Sequence, residues 1–266
     1  MALRAQVMGV VNVTPDSFFP ASRTVAHNEA IERGLAHFRE GADVVDVGGE
    51  STRPGATPVE ESEELARVLP VVAALARYGT VSIDTQKESV ARAAVAAGAS
   101  IVNDVSASLV AVAAELGAGY VGMHRQGESS VMQDNPTYHD VVGEISGFLR
   151  VAAEEARHAG VKNLWLDPGI GFGKTVEHNL ALLANCDHFV RLASEYDAGV
   201  LIGTSRKRFL GQLGPRALEV DERLEGSLAT ATWALVQGVS MVRVHDVRET
   251  VQLRELLFAP LESVTP

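Results

Sequence analysis

Residues 81–104 read VSIDTQKESVARAAVAAGASIVND. VSID (81–84) is a short apolar run ending on an acid. ESVARAAVAAGA (88–99) has alanine-rich helical spacing with a glycine at its end, and IVND (101–104) is a second apolar run closed by Asn103 and Asp104. Glycine there suits the left-handed cap that ends a helix. Near-continuous apolar strands joined through a helix indicate parallel strands buried on both faces. The segment is one strand–helix–strand unit, with its polar residues gathered where each strand stops.

The pattern extends in both directions. Apolar or β-branched runs recur at VMGVVNV (7–13), VVDVG (44–48), YVGMH (120–124), LWLD (164–167), VLIG (200–203) and VRVH (242–245), making eight in all. Helical patterns such as HNEAIERGLAHFREGA and VEESEELARVLPVVAALARYG lie between them. Eight such units predict a (β/α)8 barrel, and 266 residues suit one. No Pro/Gly/Ser-rich linker or change of composition divides the chain, so residues 1–266 read as a single domain. A doubly wound open sheet is the rival architecture, but the first strand is not followed by the Gly-rich turn it needs.

Composition narrows the function. The chain is 46% hydrophobic and 21% charged, ordinary for a globular protein with a full core. No apolar run approaches the ~20 residues that cross a bilayer. The start, MALRAQVMGVV, lacks the regions of a signal peptide. The single cysteine, Cys186, allows no intrachain disulfide and lies in a helical pattern, which predicts a core thiol in a cytoplasmic protein. A net charge of −11 disfavours nucleic acid or an anionic membrane as partner, though not a small anionic substrate.

One loop invites a nucleotide reading. LDPGIGFGKTVEHN (166–179) leads three glycines into Lys174 and Thr175. A P-loop, G-x-x-x-x-G-K-[ST], needs glycine at 168, where Pro168 stands. The dinucleotide pattern from Gly169 needs glycine at 174, where Lys174 stands. Both registers fail, and proline has no N–H for a phosphate.

In a barrel, catalytic groups sit at the C-terminal ends of the strands and in the loops that follow. Here the strand ends carry Asn12, Asp84, Asn103 and Asp104, His124, Asp167, Ser205, and Arg243 with His245. Strand two leads into GGESTRP, with Glu50, Thr52 and Arg53. The plain alternative for any one of them is a strand-end cap, a place Asp and Asn favour. Seven of eight strand ends together point to a ring, and so to an active site. Asp84, Asn103 and Asp167 suit a planar heterocycle with amino and ring N–H groups; a Mg²⁺ site competes with that reading. Arg53, the run Arg206-Lys207-Arg208, Arg243 and His245 suit phosphate or carboxylate. The run is otherwise a solvated charge cluster.

The motifs MGVVNVTPDSF, GADVVDVGGESTRPGA, VSIDT, GASIVND, GMHRQG with VMQ, DPGIGFGKT with HN, GTSRKRFLG and VRVHDV, in this order over residues 8–247, resemble the dihydropteroate synthase family of pterin-binding barrels. The resemblance implies condensation of 6-hydroxymethyl-7,8-dihydropterin diphosphate with 4-aminobenzoate to 7,8-dihydropteroate and pyrophosphate, a step of folate biosynthesis. It implies a pterin site of Asp84, Asn103, Met123, Asp167, Phe172, Gly203 and Lys207. Thr52, Arg53, Pro54 and Ser205, with Phe18 closing over them, would form the aminobenzoate site that sulfonamides occupy. Asn12, Arg53, Arg243 and His245 would hold the diphosphate, with Asn12 ligating its Mg²⁺. Asp84, Lys207, Arg243 and Asp16 would serve catalysis, Lys174 would be structural, and the protein would be a homodimer.

The first loop departs from the family. NVTPDSFFPASRT replaces the usual NVTPDSFSDGG, so Pro20 stands where the family has a second aspartate. That change motivates the alternative of a catalytically weak or silent pterin-binding paralogue. NDVSASL and MHRQG are milder departures, the latter bearing on Arg125. A methyltetrahydrofolate–corrinoid methyltransferase shares the barrel, but it has no pyrophosphate for the basic cluster to hold.

Overall fold

The computed structural model of the protein describes residues 4–13, 20–51, 58–127 and 131–259, residues 20–25 by their backbone alone. Eight parallel strands close into a barrel in chain order. They are β1 (Gln6–Asn12), β2 (Val44–Gly48), β3 (Thr80–Asp84), β4 (Ile101–Asp104), β5 (Gly119–Met123), β6 (Leu164–Asp167), β7 (Gly199–Ile202) and β8 (Met241–Val244). β8 pairs with β1 from Gln6↔Met241 to Gly9↔Val244, which completes the closure. Around them run α1 (Pro20–Arg39), α2 (Glu61–Leu75), α3 (Glu88–Ala96), α4 (Val110–Glu115), α5 (Val141–Ala159), α6 (Val176–Ala184), α7 (Cys186–Ser194), α8 (Leu224–Val236) and α9 (Val247–Leu257). The predicted barrel is therefore present, its strands within a residue of the expected limits.

Alternation along each strand sorts the side chains between two compartments. Val45, Val47, Val81, Ile83, Val102 and Leu166 belong to the large core between barrel and helices, with Val68, Val72 and Leu75 of α2 and Ile145 and Leu149 of α5. Met8, Val44, Ile101, Val121, Leu201 and Met241, with Trp165, form a separate cluster inside the barrel. Two residues on from these inward positions stand Asp46, Asn103, Met123, Asp167, Gly203 and Arg243. The barrel thus has an apolar plug below and a polar layer above, set by one parity.

Parity also corrects the sequence reading. Asp104, adjacent to inward Asn103, faces the helices: it accepts from the N–H groups of Ser106, Ser108 and Leu109 at 2.7–2.8 Å and from the Tyr120 hydroxyl at 3.0 Å. It ties the turn into α4, so the plain cap reading holds for it. Below the plug, the fully buried Arg254 of α9 pairs with Asp43 and donates to the Ala5 carbonyl at 3.2 Å, binding α9 to the N-terminal ends of β1 and β2.

Helix ends follow local chemistry. Pro20, the departure noted above, opens α1 at the first helical position, where its missing N–H costs nothing. Asp140 caps α5 by accepting from Gly143 N at 3.0 Å. Thr175 caps α6: its hydroxyl accepts from His178 N at 3.2 Å while His178 Nδ1 accepts from Thr175 N at 3.3 Å. The threonine of the Gly-Lys-Thr sequence is a helix cap. Cys186 is buried, and burial pushes its thiol up to about 12.

Candidate active site

Asp46, Asp84, Asn103 and Arg243, inward residues of β2, β3, β4 and β8, form one connected cluster. Arg243 of β8 is its hub. Its Nε donates to Asp46 Oδ2 at 2.7 Å and its Nη2 to Asp84 Oδ2 at 2.7 Å. Asn103 Nδ2 donates to the same Asp46 Oδ2 at 3.0 Å. Asp46 was missed in the sequence, where a lone acid in VVDVG passed for part of a buried strand. It is wholly buried, at the same parity as Gly48 and the plug residue Val44. Asn12 joins the group through the register Asn12↔Gly48↔Asp84, and its Oδ1 lies 3.9 Å from where a Cβ on Gly48 would stand.

A second cluster adjoins the first. Asp167 accepts from Gly169 N at 2.7 Å, and Met123 opposes Asp167 in the β5–β6 register. Lys207 donates to the Ile170 carbonyl, and its Nζ lies 4.6 Å from the centre of the Phe172 ring, a cation–π contact. A Cβ on Gly203 would stand 3.7 Å from Arg243 Cβ and 3.9 Å from Lys207 Nζ, so this glycine marks the join. Ser205 and His245 end β7 and β8 side by side, with Ser205 Oγ 3.1 Å from His245 Nδ1 and accepting from His245 N at 3.1 Å.

The DPGIGFGK loop is held by close backbone approach. A Cβ on Gly169 would fall 1.8 Å from the His124 carbonyl oxygen, and one on Gly173 would fall 2.3 Å from that of Gln126. Both glycines have positive φ, +69° and +62°. Lys174 is buried behind the loop, donating to the Phe172 carbonyl at 2.9 Å and lying 3.1 Å from His124 Nδ1. Its structural role is as predicted. His124 is the second correction: it packs edge-on against Phe148 of α5, ring centres 4.9 Å apart, on the helix side of the barrel. Burial and Lys174 push the imidazole down to about 3, so it stays neutral. The basic run divides as well. Arg206 pairs with Asp246 at 2.5 Å and Arg208 is exposed, leaving Lys207 as the member that reaches the site.

Burial sets the electrostatics. It pushes Asp84 up to about 7 against the pull of Arg243, with Asp46 and Glu64 adding to the rise. Asp167 is raised for the same reason, with Lys207 opposing. Burial pushes Lys207 down to about 8, which Asp167 resists, and pushes Lys174 down to about 7. Arg243 is held above its ordinary value by Asp46 and Asp84 despite burial. Among the described residues, one buried oxygen of Asp46 and one of Asp84, Oδ1 in each, has no hydrogen-bond partner.

Asp16, Phe18, Thr52, Arg53 and Pro54 lie outside the described residues, as does the side chain of Pro20. Glu50, Glu64 and Lys87 form a bracket that the sequence did not reveal. Lys87 pairs with both Glu50 and the buried Glu64, Thr85 Oγ1 donates to Glu64 at 2.7 Å, and Glu50 accepts from Val59 N at 3.3 Å. Glu50, placed in the ring by sequence, therefore ties Val59 to Lys87. Among the described residues, no group of three His, Cys, Asp or Glu side chains is set to hold a metal ion, and no helix is long and apolar enough to cross a membrane.

Comparison with known proteins places this geometry. The profile described as "Pterin binding enzyme" matches residues 8–245. The chain is 41% identical to the dihydropteroate synthase of Escherichia coli K12 over 268 aligned positions, covering 97% of this chain and 92% of that protein. It is 42% identical to the Mycobacterium leprae enzyme, covering 97% and 94%. The crystal structure of Yersinia pestis dihydropteroate synthase with a sulfonamide drug complex superposes with a TM-score of 0.87 at 39% identity, covering 97% of this chain and 94% of that one. Xanthomonas albilineans dihydropteroate synthase with 4-aminobenzoic acid superposes with a TM-score of 0.86 at 42% identity, covering 100% and 95%.

Proposed function

The chain belongs to the pterin-binding enzyme family, and we propose that it acts as a dihydropteroate synthase, a transferase joining 6-hydroxymethyl-7,8-dihydropterin diphosphate to 4-aminobenzoate with release of pyrophosphate. The observation that carries this reading is the gathering of buried acceptors (Asp84, Asn103, Asp167) beside Arg243 and Lys207 in two adjoining clusters. A pterin offers amino and ring N–H donors along one edge, and buried acceptors without donors of their own are costly unless a ligand satisfies them. Asp84 Oδ1 is such an atom. Phe172, under the Lys207 ammonium, supplies an aromatic face, and Met123 and Gly203 complete the pocket.

The chemistry follows from charge. Departure of pyrophosphate leaves positive charge on the pterin side, which the Asp84 and Asp167 carboxylates favour, while Arg243, His245 and Arg53 balance the charge growing on the leaving group. 4-Aminobenzoate, whose site the family resemblance assigns to Phe18, Thr52, Pro54 and Ser205, attacks the exocyclic carbon through its amine and loses its proton afterwards. No strongly basic side chain is required. Asp16 would add negative charge from the first loop.

Mg²⁺ fits the residues present. It accepts a site with one or two protein oxygens plus substrate phosphates and water, and Asn12 Oδ1, near Gly48 and Asp84, would supply one hard oxygen. When bound there with the diphosphate it would neutralise the leaving group. We place the reaction in the cytoplasm, as the lone buried cysteine suits. The homodimer would form through α6 and α8. Leu180, Trp233 and Val236 are exposed there, and Trp233 Nε1 donates to the Leu183 carbonyl at 2.8 Å, joining the two helices into one face. Sedimentation of Val236→Asp as a monomer, against a dimeric parent, checks that.

The deciding experiment measures pyrophosphate release with pterin diphosphate, Mg²⁺ and 4-aminobenzoate, alongside calorimetric pterin binding. Turnover that needs both 4-aminobenzoate and Mg²⁺ and is lost in Asp84→Ala is the expected result. Pterin binding without release would instead identify the silent paralogue that Pro20 motivates.

A further inference from the structure

Asp46 has no place in the reaction above, yet it is the most connected carboxylate of the cluster. It stands two residues before Gly48, so in the barrel it lies one step below the layer of Asp84 and Asn103. Its Oδ2 receives two donors, Arg243 Nε at 2.7 Å and Asn103 Nδ2 at 3.0 Å. An arginine Nε–H can only donate, so this oxygen is an acceptor, and the Asn103 atom facing it has to be the amide nitrogen. An asparagine amide is ordinarily free to turn round, exchanging its donor for its acceptor. Here it is not free: turning it would set two acceptors against each other in a fully buried place.

We propose that Asp46 is a positioning residue that fixes the Asn103 amide, and thereby writes the hydrogen-bond code of the heterocycle site. With Nδ2 committed below, the planar amide carries Oδ1 on its other branch. Asn103 then adds a third acceptor to those of Asp84 and Asp167. The site becomes a reader of N–H donors, able to reject a bicyclic ring of the same shape that presents acceptors at those positions. The same carboxylate holds Arg243 from below, so one buried acid sets both the heterocycle and the anion partners in place. This inference rests on the pterin reading of the site and adds to it the determinant of donor-over-acceptor selectivity.

Asp46→Ala tests it. With no acceptor held below it, the Asn103 amide is free to turn and present its N–H. Binding is measured by calorimetry for 6-hydroxymethyl-7,8-dihydropterin and for two probes. One is the 2-oxo (lumazine) analogue, with a carbonyl in place of the amine; the other is the fully oxidised pterin, with a bare N8 in place of N8–H. The preference for the dihydropterin over at least one probe is expected to fall about tenfold, the worth of one hydrogen bond, with KM for 4-aminobenzoate unchanged. Both preferences holding within twofold in a folded Asp46→Ala protein would overturn the proposal.

A measurement on the unaltered protein needs no variant to fold. The Asn103 side-chain N–H that meets Asp46 is expected to exchange slowly with solvent in the ligand-free state by NMR. Exchange as rapid as that of a surface amide would overturn the proposal equally. Failure of the parent to bind the dihydropterin at all would instead remove the pterin reading itself, an outcome distinct from either.

Discussion

Two arginines, the half-buried Arg243 and the fully buried Arg254, stand at opposite ends of the barrel and make different use of the same ion pair. At the N-terminal end Arg254 is fully buried against Asp43 and a backbone carbonyl, and Asp43 also accepts from Val7 N at 2.8 Å. At the C-terminal end Arg243 faces two carboxylates, each with a buried oxygen left over, and a lysine nearby that burial pushes down to about 8. The first arrangement joins α9 to two strand starts and leaves one buried donor, Arg254 Nε, without a partner among the described residues. The second leaves two carboxylate oxygens so, at the end of the barrel where a ligand can reach them. Binding capacity here comes from polar groups the fold has buried and not fully paired.

The contrast can be broken most sharply at Asp84. Asp84→Asn is expected to lower kcat/KM on the order of 10²–10³-fold while the melting temperature at pH 8 holds or rises. The sign follows from its pKa, raised from 3.8 to about 7. Between these values the folded state binds more protons than the unfolded, so Asp84 makes stability fall as pH rises. A melting temperature that drops with the activity would erase the distinction between the two ends.

Arg254→Met is the converse. It leaves Asp43 without its cation and should cost about 3–5 kcal/mol of stability, seen in urea unfolding, with kcat unchanged at a temperature where the variant stays folded. Loss of kcat in that folded protein would show that the bottom pair reaches the chemistry.

A pH profile sharpens the comparison from the upper end. Activity should rise as Asp84 ionises near pH 7 and fall as Lys207 loses its proton near pH 8, giving a narrow bell in kcat/KM. Lys207→Arg should remove the alkaline limb. The smallest effect is expected for Lys174→Met. Lys174 is pushed from 10.5 to about 7, so over that window the unfolded state binds the extra proton and stability rises with pH. Melting curves of the variant at pH 7 and 9.5 should lack this rise, with turnover within about twofold of the parent.

Most of the barrel was legible because strand and helix composition differ so strongly. VVDVG, IVND and LWLD match their strands to the residue, and the other strands are displaced by one. The helical pattern at His27 began late, since α1 opens at Pro20, where proline at a first helical position was the available signal. The site residues at strand ends were legible as a set but not one by one. Asn103 and Asp104 are neighbours on a strand and cannot both face inward, an argument that would have separated site from cap before any coordinates. Asp46 and the Glu50–Lys87–Glu64 bracket stayed hidden for another reason: they act through partners 23 to 197 residues away, and no local pattern records such pairings.

The glycines of DPGIGFGK carry a consequence for how this protein can change over generations. With a Cβ at Gly169 or Gly173 driven into a backbone carbonyl of the strand-five loop, and one at Gly171 brought to 2.9 Å from Lys207 Cδ, nearly every single-codon step at these positions damages the fold before it alters the ligand. A lineage under pressure from an inhibitor of the heterocycle pocket would find this stretch closed to it. Its accessible escape routes run instead through side chains that can be exchanged without moving the main chain, and a saturation library of Gly169, Gly171 and Gly173 should come back almost empty.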